Sequence, residues 1–106
     1  MASNPTYSHE AFGLRQEDVA SIKHILSASP KVKKVILFGS RATGNFRPGS
    51  DIDIAIEADD LTRDELMRLA LQLEDLDLLY KIDLLDYTKI SNSDLRAHIA
   101  RVGKVL

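Results

Sequence analysis

The sequence predicts one small α/β domain: a mixed β-sheet of about three core strands flanked by helices. Three patterns carry that expectation. Val35-Ile36-Leu37-Phe38 is a continuous β-branched and aromatic run, short enough for a strand covered on both faces. From Asp51 to Glu57, isoleucines at 52, 54 and 56 alternate with Asp51, Asp53 and Ala55, the period of two of a strand. Segments around these runs repeat apolar residues at helical spacing, so helices are expected to cover the strands in layers. At 106 residues the chain suffices for a single two-layer core and not for two.

The elements follow in order. Residues 1–13 read as a flexible N-terminal arm, and residues 14–106 as the domain. Val19, Ile22, Ile25 and Leu26 mark a helix over residues 15–28, closed by Pro30. The strand ending at Phe38 runs into Gly39-Ser40 and a short turn or helix, and the second strand starts near Asp51. Thr62-Arg63-Asp64-Glu65 fits a capping box. Behind it, Leu66, Leu69, Ala70 and Leu73 form the buried stripe of a helix. Residues 80–86 read as a third strand, and Ser91 or Ser93 as the cap of a last helix carrying Leu95, Ile99 and Val102 and ending at Gly103.

Composition narrows the function classes. The apolar share is 44%, the charged share 28% and the formal net charge −2. That is an ordinary globular composition without the basic footprint of a nucleic-acid or anionic-membrane binder. Cysteine is absent, which excludes disulfides and thiolate metal sites. No apolar run approaches the roughly 20 residues of a membrane span, and the polar start lacks a signal-peptide core. A cytoplasmic location is expected.

The carboxylates of the second strand need a reason. Asp51 and Asp53 leave the strand on one face, roughly 7 Å apart, where two ionised acids repel each other. A divalent cation reverses that preference, and oxygen-only ligands suit Mg²⁺ or Mn²⁺ completed by substrate phosphates. Gly39 permits close backbone approach to a ligand, and Ser40 offers a hydroxyl and the start of a helical turn whose free N–H groups suit an anion. The spacing is not that of a P-loop. Phosphate on one side and metal on the other suits metal-assisted phosphoryl or nucleotidyl chemistry. Asp83, between Ile82 and Leu84, is the expected third acid, and Asp86 is read as a turn residue. Arg41 and Arg47 offer guanidinium forks for phosphate oxygens or are solvated surface arginines. Ser50 either bonds a metal-bound water or caps the turn, with capping the preferred reading. His24 and His98 are placed on helices far from the motif, as surface or packing residues. Tyr80 and Tyr87 are read as packing residues.

Gly39-Ser40-Arg41-Ala42-Thr43-Gly44 followed by Ser50-Asp51-Ile52-Asp53 resembles the signature of the DNA polymerase beta-type nucleotidyltransferases. Length, element order and Lys81-Ile82-Asp83-Leu84-Leu85-Asp86 resemble more narrowly the minimal nucleotidyltransferases, the MntA-like antitoxin partners of HEPN proteins. The resemblance spans residues 14–106 and implies a polymerase-beta-like palm fold. It implies that Gly39 and Ser40 hold the β- and γ-phosphates of a nucleoside triphosphate, with Arg41, Arg47 and Ser50 as further nucleotide-binding candidates. Asp51 and Asp53 would ligate two Mg²⁺ ions, or Mn²⁺. Asp83 would join them on the catalytic metal and help activate the attacking hydroxyl.

The same resemblance implies an ATP-dependent transfer of AMP to a hydroxyl with pyrophosphate leaving, the chain acting as an antitoxin that modifies a HEPN partner. The chain stops soon after the third strand, leaving little room for an acceptor pocket, so a partner and a heteromer are expected, with self-association a further expectation. Two alternatives remain open at this level. One is a nucleotide-binding module that neutralises its HEPN partner by complex formation alone. The other is the catalytic subunit of a small-molecule nucleotidyltransferase.

Overall fold

A run of β-branched residues cannot remain in water cheaply, and this chain buries its three central isoleucines completely: Ile52, Ile54 and Ile56 are each 0% exposed. The computed structural model describes residues 12–106. Of the expected arm, residues 1–11 lie outside the described residues, while Phe12 packs against the core.

Helix α1 (Gln16–Ser27) leads into strand β1 (Val32–Phe38) and the four-residue helix α2 (Ser40–Thr43). Strand β2 (Ile52–Ala58), helix α3 (Arg63–Glu74) and strand β3 (Ile82–Asp86) follow. A short 3₁₀ turn (Tyr87–Lys89), helix α4 (Ser93–Val102) and strand β4 (Lys104–Val105) complete the order. The mixed four-stranded sheet runs β3-β2-β1-β4. β1 is antiparallel to β2 and β4, and β2 is parallel to β3. A parallel pair needs a crossover connection, and α3 supplies it.

The period-two pattern sorts side chains between two faces. Val35, Leu37, Ile52, Ile54 and Ile56 pack with Val19, Ile22 and Leu26 of α1 and Leu69 and Leu73 of α3. Phe38, Ala55 and Ile99 of α4 pack on the opposite face, together with Ile36 and Leu85. The β1 run is thus covered on both sides, as its composition predicts. The strand β4 escapes sequence reading because two residues carry no periodicity. It is held by pairing with Ile36 and Leu37 and by the Leu106 N–H donating to Val35 O at 2.9 Å.

Local signals fix the helix ends. The capping box at Thr62 is complete: the Glu65 N–H donates to Thr62 Oγ1, and the Thr62 N–H donates to Glu65 Oε1. The cap of α4 is Asn92, whose Oδ1 accepts from the Leu95 N–H at 3.0 Å, and not Ser91 or Ser93. Asn and Ser cap helices about equally well, so composition could not choose among three neighbouring polar residues.

Lys31 reinforces the α3 cap. Its Nζ lies 2.8 Å from Glu65 Oε1 and 3.1 Å from Asp60 O. That ammonium first, and the Thr62 N–H second, hold the Glu65 carboxyl down at about 2 against an ordinary 4.5. A carboxyl lowered on folding stabilises the fold above its ordinary value and loses that contribution as pH falls toward the folded one. The expected result is that urea midpoints of the native chain fall more steeply between pH 4.5 and 2 than those of Glu65→Gln. Parallel curves would contradict it.

Candidate active site

The acids meet through sheet register. Asp53 of β2 is the direct partner of Asp83 of β3. Parallel neighbours project their side chains to one face about 4.8 Å apart, and Asp51 stands two residues before Asp53 on the same side. Asp86 pairs with Ile56, on the other face. Its carboxylate accepts from the Thr88 N–H and hydroxyl, so it closes the turn after β3. The register thus places Asp83, and not Asp86, beside Asp53.

Gly39 brings the Gly39-Ser40 turn against this face. Its φ of 76° and ψ of −155° lie in a region nearly confined to glycine. A Cβ there would land on the Asp53 carboxylate. Ser40 opens α2 directly beyond it, so the turn and the acids share one small surface. Gly39→Ala is expected to lower stability by about 1–3 kcal/mol through backbone strain alone and to displace Asp53 as well. Gly44 also has a positive φ, of 87°, but open space where its Cβ would point. Gly44→Ala therefore carries strain without collision, and comparing the two variants by urea melt and activity separates the effects. Equal activity loss in both would contradict a contact specific to Asp53.

Arg41 corrects the sequence reading. It is 2% exposed and faces inward, so it is not a solvated surface residue, and its fork is occupied by the protein itself. Its Nε and Nη2 donate to Ser50 O at 3.2 and 2.8 Å, and Nη1 donates to Phe12 O at 2.8 Å and Gly13 O at 3.3 Å. The guanidinium carbon lies 5.1 Å from the Phe46 ring centre and 4.7 Å from that of Tyr80. Carbonyl dipoles and ring faces therefore surround the cation. Burial pulls its pKa below the ordinary value, with Tyr80 opposing. Tyr80 packs as expected, but against a cation.

Ser50 is a turn residue. Its Oγ accepts from the Arg47 N–H at 2.8 Å, and its own N–H donates to Arg47 O at 2.9 Å. Pro48 and Gly49 sit at the central positions, the residue order of a type II turn. Arg47 itself is exposed and keeps the phosphate reading open. Arg41 follows Ser40, and Ser50 precedes Asp51. One side chain thus ties the Gly39-Ser40 turn to the start of the acid-bearing strand.

The acids share an electrostatic field. Burial raises the Asp53 pKa first, then the charges of Asp83 and Asp51, while His98 acts in the opposite sense. Lys81 Nζ stands 4.0 Å from Asp83 Oδ1 on an exposed surface, a pairing of little net strength in water. Among the described residues no three Asp, Glu or His side chains form a ready-made metal cage. The donors nevertheless fit a divalent cation of the Mg²⁺ type. They are the oxygens of three carboxylates, two of which oppose the ionisation of Asp53, at a part-exposed edge where substrate phosphates can complete the coordination.

His98 lies where the sequence does not place it. Instead of standing far from the motif, it meets Phe38 edge-on with ring centres 6.4 Å apart, beside Asp53. The missed signal is the packing of α4 on the Phe38-Ala55 face, which helical spacing alone cannot assign to one side of the sheet. His24 is exposed on α1, as expected. Tyr87 packs under Arg96, whose guanidinium carbon lies 4.6 Å from the ring centre. No helix among the described residues is long and apolar enough to cross a membrane.

Comparison with known proteins identifies the family of the fold. Residues 20–106 match the polymerase beta nucleotidyltransferase family model. A Haemophilus influenzae protein, "Probable protein adenylyltransferase MntA", is 34% identical over 97 residues, covering 88% of this chain and 82% of that protein. A toxin–antitoxin complex solved with AMP-PNP contains a chain 30% identical with a TM-score of 0.67, covering 87% of this chain and 72% of that one. A tri-AMPylated Shewanella oneidensis HEPN toxin in complex with its MNT antitoxin gives 30% identity and a TM-score of 0.65, covering 85% and 69%. The chain belongs to the polymerase beta-type nucleotidyltransferases, in their MntA-like minimal branch.

Proposed function

We propose that the chain is a Mg²⁺-dependent protein adenylyltransferase that moves AMP from ATP to a hydroxyl of a HEPN partner protein. The observation that carries this is the register pairing of Asp53 with Asp83, beside a Gly39 whose missing side chain makes room for the Asp53 carboxylate. A docking module would have no need of three acids crowded beside a phosphate-compatible turn.

Gly39 and Ser40 receive the β- and γ-phosphates through backbone N–H groups and the Ser40 hydroxyl, with Arg47 as an exposed cation at the rim. Asp51, Asp53 and Asp83 hold the divalent metal, which lowers the pKa of an attacking hydroxyl and stabilises leaving oxygens when bound. Asp83, on the edge strand β3, faces the acceptor and takes up its proton. A bond then forms from the acceptor oxygen to the α-phosphorus as the bond to the bridging oxygen of pyrophosphate breaks. Arg41 and Ser50 hold the turn and touch neither substrate.

The acceptor is read as a protein because one structural relative is the MNT antitoxin in complex with a tri-AMPylated HEPN toxin. The test is the intact mass of the HEPN protein encoded nearby after incubation with ATP, Mg²⁺ and this chain. Mass increments of whole AMP units support the proposal. Neutralisation of the partner without any increment would favour occlusion, and ATP consumption with an unchanged partner would favour a small-molecule acceptor.

A further inference from the structure

Helix α4 crosses the sheet face that carries the acids, and one of its side chains stands at their edge. The His98 and Phe38 rings meet with planes 80° apart. Phe38 is the register partner of Asp53, and strand order is β3-β2-β1. Asp83 therefore lies one strand to one side of Asp53, and Phe38 one strand to the other, with His98 riding over it. The chain continues from Phe38 directly into Gly39 and Ser40. The half-buried imidazole thus stands over Phe38, the strand neighbour of Asp53 and the residue that leads into the turn read as the triphosphate seat.

We propose that His98 is a further phosphate-contacting residue, donating an imidazole N–H to an oxygen of the triphosphate chain seated at Gly39-Ser40. The inference rests on the nucleotidyl-transfer reading above and concerns the triphosphate, not the base or the acceptor. Imidazole carries one N–H donor when neutral and two when protonated, and donors to phosphate oxygens make the stronger, charge-assisted kind of hydrogen bond. The edge contact with Phe38 limits the ring's freedom, so the donor is oriented before ligand arrives.

A packing role and a phosphate role separate cleanly in His98→Phe, which keeps an aromatic edge for Phe38 and removes the donor. Inorganic tripolyphosphate with Mg²⁺ serves as the probe, alongside the KM for ATP and the Tm of each variant. His98→Phe is expected to hold its Tm while tripolyphosphate binding weakens and KM rises by about 10-fold. His98→Gln, which retains an N–H donor, is expected to recover part of that loss and carries the test if the phenylalanine variant melts early. AMP affinity is expected to stay unchanged in both. Tripolyphosphate affinity and KM within about twofold of the native values in His98→Phe would overturn the inference. A native chain that neither binds tripolyphosphate nor transfers AMP would overturn it together with the functional reading, whereas a transferring chain indifferent to His98→Phe would sink this inference alone.

Discussion

Asp53→Asn is expected to reduce nucleotidyl transfer by at least about 10³-fold, roughly 4 kcal/mol of barrier, without unfolding the chain. The substitution removes a charge and little volume. Asp53 is the central acid, paired with Asp83 across the strand and followed two residues back to Asp51. Its ionisation also works against folding, because burial and then the two neighbouring carboxylates raise its pKa above the ordinary 3.8. A carboxyl raised on folding penalises the folded state once pH exceeds its ordinary value, and the penalty is complete above the folded one. In chelator, Asp53→Asn is therefore expected to match or exceed the native chain in urea midpoint at pH 8, with that relative advantage shrinking toward pH 4. A variant that is inactive because its midpoint has collapsed would contradict both halves of the prediction.

Arg41→Lys is expected to destabilise the chain by on the order of 3 kcal/mol. Lysine keeps the charge but not the planar fork. The carbonyls of Ser50, Phe12 and Gly13 depend on that fork, and leaving a buried acceptor without a donor costs about 1–3 kcal/mol. The two ring contacts weaken as well. If Arg41 were instead a phosphate ligand on the surface, its replacement would leave stability within about 0.5 kcal/mol and act through the KM for ATP. Denaturant midpoints of the ligand-free protein decide between the two. A midpoint unchanged from the native chain would return Arg41 to the nucleotide.

Most of the fold is legible in the sequence because its elements carry strong periodic or chemical signals. The alternating isoleucines of β2, the apolar run of β1 and the Thr62–Glu65 box each specify one local structure. The acids stand out for the same reason: carboxylates at 51 and 53, alternating with buried isoleucines, have no packing rationale. Arg41 is different. An arginine in a turn reads as a surface charge, and only the convergence of Phe12, Ser50, Phe46 and Tyr80 around it shows that it is a strut. Those partners come from three separate segments, so no local window contains the whole signal. His98 is hidden likewise, since its neighbour Phe38 lies 60 positions earlier in the chain, and helical periodicity does not say which face of the sheet α4 covers.

The most direct measurement of the central claim uses ATP labelled either at the α- or at the γ-phosphate, incubated with Mg²⁺, the native chain and its HEPN partner. Nucleotidyl transfer predicts label from the α-position in the partner, label from the γ-position in released pyrophosphate, and neither with Asp51→Asn/Asp53→Asn. Label from the γ-position in the partner, or bound ATP with no transfer from either position, would contradict it.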